Sequence, residues 1–210
     1  MSDIGERTID AFLADLASDA PTPGGGAVAG LVAAAGAGLI EMVCSLTMGK
    51  TGYEEVDQRM RAIVVEAGAA RAALLDLADR DANAFDGVMA AFKMPKETDT
   101  QRAERSAAIQ RGYESAARVP MECAKRAAAL MELATEVTSE GNAAAASDGS
   151  SAAQCLAAAV WCATYNVEIN AAALKDQAKA QALRDEVSAL RAGSRARLDA
   201  ANAVFAERIA

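Results

Sequence analysis

Asp81 is the residue whose surroundings in sequence point most directly to chemistry. Leu74, Ala78, Phe85, Val88 and Phe92 recur around it at three- and four-residue steps, so all six share one face of a helix. A carboxylate set in an apolar stripe loses hydration. Its pKa rises, and it becomes able to take and return a proton near neutral pH. The same position also suits an interhelical ion pair with Arg or Lys, and the spacing alone leaves both roles open. What sharpens the first is that the chain has no histidine at all. Ser-His-Asp and Cys-His catalysis and histidine-based metal sites are excluded, so any acid or base must be a carboxylate, Lys, Cys or Tyr.

Other polar groups stand at positions where they can serve either a ligand or the fold. Gly24, Gly25 and Gly26, in "PTPGGGAVAG", precede a long apolar helix. They can bring free helix-start amides up to an anion, or they can form a tight turn. Asn166 and Asn170, in "WCATYNVEIN", lie one turn apart on the face of Cys162. They can read a heterocycle edge or bond across a helix interface. Ser147 and Asp148, in "GNAAAASDGSS", can cap the following helix or orient a ligand beside its start. Lys50 sits near a helix C-terminus, where its charge is favourable for the dipole alone. Lys93, Lys96, Arg102 and Arg105 form a local basic group in a chain whose net charge is −8.

The elements that must position these groups are helices. About a quarter of the residues are Ala, aromatics make up 4%, and no alternating β-branched run occurs. The patterns place helices at about 7–18, 27–48, 54–92, from 99 or 100 to 139, 150–174 and 176–208. Asp99 or Thr100 is the expected cap of the fourth, and Pro120 is expected to kink or split it. The last helix mixes both charge signs around Leu183, Val187, Leu190, Leu198 and Phe205, which suits packing against the domain or a partner subunit. The expectation is an all-α, single-domain bundle of about six helices over residues 1–210, with one long central helix.

The acidic balance and the lack of a basic block argue against nucleic acid as a partner. Residues 27–40 are apolar but fall short of a membrane span before Glu41. Asp3 and Glu6 stand where a leader would carry basic residues. Cys44, Cys123, Cys155 and Cys162 include no CxxC pair and read as small buried apolar residues of a reducing compartment. These readings set the expectation of a cytoplasmic protein with no membrane partner.

Taken together, "PTPGGGAVAG", "MVCSLTMGKTGYEEV", "DANAF", "KMPKETDTQRAERSAAIQRGYESAARVPMECA", "GNAAAASDGSSAA" and "NVEIN" resemble the cyclodeaminase/cyclohydrolase family over about residues 5–205. That family comprises the C-terminal domain of formiminotransferase-cyclodeaminase and stand-alone methenyltetrahydrofolate cyclohydrolases. Two departures stand out: Ala27 replaces the Ser that usually follows the three glycines, and "SDGSS" replaces a sequence closer to "SDAGV".

The resemblance implies a helical homodimer, dimerising through helices and acting on a tetrahydrofolate derivative with no cofactor beyond that substrate and no metal. It implies hydrolysis of 5,10-methenyltetrahydrofolate to 10-formyltetrahydrofolate. Formiminotetrahydrofolate cyclodeaminase is the alternative, and a non-catalytic folate-binding module a third. In that frame Asp81, Lys50 and Asp148 are the catalytic candidates. Gly24, Gly25, Gly26, Lys96, Asn142, Ser147, Asn166 and Asn170 are the substrate-binding ones.

Overall fold

The computed structural model describes residues 4–210. It contains α1 (Ile9–Leu16), α2 (Gly25–Ser45), α3 (Asp57–Phe92), α4 (Asp99–Glu140), α5 (Ala146–Ala172) and α6 (Gln177–Arg208), with short 3-10 turns at Ile4–Glu6 and Ala143–Ala145. No strand occurs among the described residues. Asp3, used above in arguing against a leader, lies outside them.

α2 is the hub. A Cβ added at Gly30 would come within 2.8 Å of the Leu74 carbonyl and 2.9 Å of the Ala78 Cβ on α3. One added at Gly36 would come within 2.9 Å of Leu156 on α5. Glycine therefore sets how closely α2 sinks between its neighbours. Both neighbours run antiparallel to it, and α4 closes the core behind. Ile40, Met60, Ile63, Leu74, Leu77, Met131, Leu156 and Val160 are fully buried there. α2 is long and apolar enough to cross a membrane, but 56% of that stretch is buried against the other helices.

Several boundaries differ from the sequence-based expectation. α2 begins at Gly25, so two of the three glycines are helical and Gly24 is the N-cap. Thr98, not Asp99 or Thr100, caps α4. Its hydroxyl accepts from the Gln101 amide and the Gln101 side chain accepts from the Thr98 amide, a reciprocal box, while Asp99 pairs with Arg102. Pro120 does not split α4, which runs unbroken from Asp99 to Glu140. A proline there deprives the carbonyl four residues earlier of its donor. The Asn170 side-chain amide, from α5, donates to that Ala116 carbonyl at 3.2 Å.

The bundle has two ends. At one lie the start of α2, the ends of α3 and α5 and the starts of α4 and α6. At the other lie the end of α2, the start of α3, the end of α4, the start of α5 and the end of α6. α2 holds them roughly 30 Å apart at 1.5 Å per residue.

Candidate active site

Asp81 projects from α3 onto the first turn of α2. A Cβ added at Gly26 would fall inside its carboxylate, so only glycine leaves the space the acid occupies. The close approach that the three glycines foreshadow is thus made by a side chain of this chain at Gly26. At Gly25 the neighbour is the Asn166 amide nitrogen, 3.2 Å from where a Cβ would stand. The amides of Gly25, Gly26 and Ala27 precede the first intrahelical bond, which Val28 makes to Gly24, so they remain available as donors.

Burial pushes the Asp81 carboxyl from 3.8 up to about 6, and no nearby charge contributes to the shift. The ion-pair role is therefore not the one this residue takes among the described residues. Its neighbours on α3 are accounted for separately: Asp79 accepts from the Ile4 amide at 2.9 Å, and Arg80 pairs with Asp76 and Glu122. The apolar wall includes Cys123 on α4. Burial first, then Asp81, then Cys162 push its thiol up to about 12, which makes it a poor nucleophile.

The two asparagines divide their roles. Asn170 is a structural partner of α4 through Ala116 and also donates to the Asn166 carbonyl at 2.8 Å. Asn166 donates back to the Cys162 carbonyl at 2.9 Å. Both side-chain amino groups are therefore engaged. Asn166 is the one whose side-chain amide lies against the start of α2, at Gly25.

Lys50, Asn142, Ser147 and Asp148 lie at the opposite end. The Lys50 ammonium donates to the Asn142 side-chain oxygen at 2.8 Å and stands 5.6 Å from the centre of the Tyr53 ring. Asn142 is a rivet: its backbone amide donates to the buried Thr47 hydroxyl at 2.8 Å, and its side chain donates to the Leu46 carbonyl at 3.1 Å. Tyr53 accepts from the Ala143 amide at 3.0 Å. Ser147 and Asp148 do not cap α5; they fall inside its first turn, and the cap position is Ala145, with no side-chain bond. The capping group of this corner is Asn142, which caps the preceding 3-10 turn. Within one chain, therefore, neither Lys50 nor Asp148 reaches Asp81. Sequence reasoning missed Tyr53 and Thr47; their partners are about 90 residues away in the chain, so no local pattern marks them.

Lys96 belongs to the Asp81 end, in the turn between α3 and α4, on a cavity it shares with Arg102, Arg105 and Lys175.

The family model described as formiminotransferase-cyclodeaminase matches residues 8–189. The chain belongs to the formiminotransferase-cyclodeaminase family. Among curated members, it is 39% identical to a methenyltetrahydrofolate cyclohydrolase of Methylorubrum extorquens over 89% of both chains. It is 35% identical to the formimidoyltransferase-cyclodeaminase of Rattus norvegicus over 88% of its own length, but spans only 34% of that relative. A solved family structure, the formiminotetrahydrofolate cyclodeaminase of Thermotoga maritima, superposes with a TM-score of 0.87 at 29% identity, covering 99% of this chain and all of that one. The helical bundle described above is thus the family fold over its whole length.

Proposed function

We propose that this chain is a methenyltetrahydrofolate cyclohydrolase, which adds water to 5,10-methenyltetrahydrofolate and releases 10-formyltetrahydrofolate. The observation that carries the reading is the carboxylate of Asp81, half-buried against the open start of α2, in a chain collinear with a curated cyclohydrolase.

The substrate carbon lies between N5 and N10 and carries positive charge. An ionised Asp81 beside it offsets that charge and accepts a proton from the attacking water, forming the C–O bond. The protonated acid then delivers a proton to N5 as the C–N5 bond breaks. A second proton leaves the hydroxyl as the formyl C=O forms. Overall, substrate cation and water give the formyl product and one proton. A pKa of about 6 suits both transfers near neutrality. In this reading the free amides of Gly25 and Gly26 and the Asn166 side chain beside them hold the ring next to the acid.

Lys50 enters this site only from a second copy. α2 leaves Ala35, Met42 and Leu46 exposed, Met42 and Leu46 by more than 40%, on one stripe with Val28 and Leu39, which are partly buried against the core. Ala35 is at its middle. Two chains paired antiparallel about Ala35 bury both stripes in a self-complementary interface. That pairing sets the Lys50 turn of one copy just past the Gly24 end of the other.

Cyclodeamination is the second reading, favoured by the likeness to the Thermotoga maritima cyclodeaminase. There N10 attacks the formimino carbon and ammonia leaves, with the same acid and base. Loss of methenyltetrahydrofolate absorbance by the purified protein, run beside ammonia release from formiminotetrahydrofolate, separates the two. The proposal expects the first and is overturned if only ammonia release is catalysed.

A further inference from the structure

We infer that the cavity between the first turns of α4 and the α5–α6 turn binds the glutamate carboxylates of the substrate's tail, and that Lys175 and Arg105 join Lys96 in doing so. The inference rests on the folate reading above and assigns residues to a part of the ligand that reading leaves unplaced.

The cavity measures about 380 Å³, and its lining includes four cations, Lys96, Arg102, Arg105 and Lys175, with no carboxylate. That is an unusual concentration in a protein of net charge −8. Most other basic side chains are paired with acids, such as Arg59 with Glu136, Arg191 with Glu168 and Arg197 with Glu132. Here, among the described residues, only Arg102 has such a partner, Asp99. Arg105 is anchored by two bonds to the Phe92 carbonyl, at the end of α3, and lies against the Phe92 ring. Lys175 is held by the Ser106 hydroxyl at 2.6 Å, and its backbone amide donates to Gln110 at 2.7 Å. Two of the cations are therefore fixed toward the cavity by neutral groups, which leaves their charge uncompensated.

Its position suits a tail. α5 passes Gly25, next to the Gly26 that faces Asp81, at Asn166 and ends at Ala172, about 9 Å farther along its axis, and Lys175 follows in the α5–α6 turn on the cavity's wall. α3 carries Asp81, Phe85, Val88 and Phe92 on one stripe toward the same point, with Val88 against Gly112 and Phe92 edge-on to Tyr113 of α4. An apolar run ending in cations matches a ligand whose aromatic ring lies between a reacting carbon and its carboxylates.

The test uses ligand fragments, so it does not depend on turnover. The whole protein is titrated calorimetrically with p-aminobenzoate, p-aminobenzoylglutamate and the γ-linked triglutamate form of the latter. Tight binding is expected to require the glutamates, to weaken with salt, and to drop about tenfold or more in K175Q and in K96Q/K175Q. Melting temperatures verify that the variants fold, and the single substitution is the second check should the double variant fail to. Equal binding of all three fragments by the unaltered protein overturns the inference, as does full discrimination retained in folded K175Q. A protein that binds the tail fragment but turns over no folate contradicts the cyclohydrolase reading and leaves this one standing.

Discussion

At the scale of single residues, function and fold compete for one volume at Gly26. A methyl group there must displace the Asp81 carboxylate, the movable end of a side chain rather than backbone. Gly26→Ala is therefore expected to fold and to lose at least tenfold in kcat/KM, read by steady-state kinetics beside a melting curve. The acid itself sets a pH dependence. Its folded pKa is about 6 against 3.8 for a free carboxyl, so kcat/KM should fall tenfold per pH unit below about 6 and level off above it. The linkage to stability has the opposite sense. Protonation favours the folded state, so this group's contribution is complete below about pH 4 and is lost as pH rises through about 6. Asp81→Asn should therefore be more stable than the unaltered protein at pH 8, by on the order of 2 kcal/mol, and no more stable at pH 4, as measured by denaturant titration. The stripe around Asp81 is readable because helical periodicity is local. The meeting of Asp81 with Gly26 is not, since it depends on how two helices 55 residues apart settle against each other.

At the scale of elements, helix number and order follow from apolar spacing, while the ends depend on chemistry that competes locally. Thr98 outdoes Asp99 as a cap because Gln101 stands three residues after it and returns the bond. Asp148 looks like a cap but falls within the first turn of α5, where an acid is favourable for the helix dipole. Pro120 would read as a break in any single-helix view. α4 survives it because a side chain from α5 takes up the carbonyl it orphans, a solution written 50 residues away. Asn170→Ala should accordingly destabilise the protein by about 1–3 kcal/mol, the range for leaving a buried acceptor unsatisfied, with kcat changed little. Chemical denaturation at fixed pH checks it. Gly30→Ala meets backbone on α3 rather than a side-chain tip and should also lower stability, by about 1–3 kcal/mol.

At the scale of the whole molecule, the residues read from the sequence as one catalytic set divide between two ends of a bundle. Sequence order conceals that division, because α2 carries the glycines at its start and leads to Lys50 at its end. The proposed antiparallel pairing reunites them, and Met42→Asp with Leu46→Asp should convert a dimer to monomers in sedimentation or light scattering. If Lys50 of one copy serves Asp81 of the other, inactive Lys50→Ala and Asp81→Asn chains should regain activity when mixed. The half-buried acid Asp81 carries the proposed chemistry, and the most direct measurement is methenyltetrahydrofolate hydrolysis by folded Asp81→Asn above pH 7, beside the unaltered chain. A loss of about 10²- to 10⁴-fold in kcat is predicted. Turnover within a few-fold of the unaltered protein would contradict it.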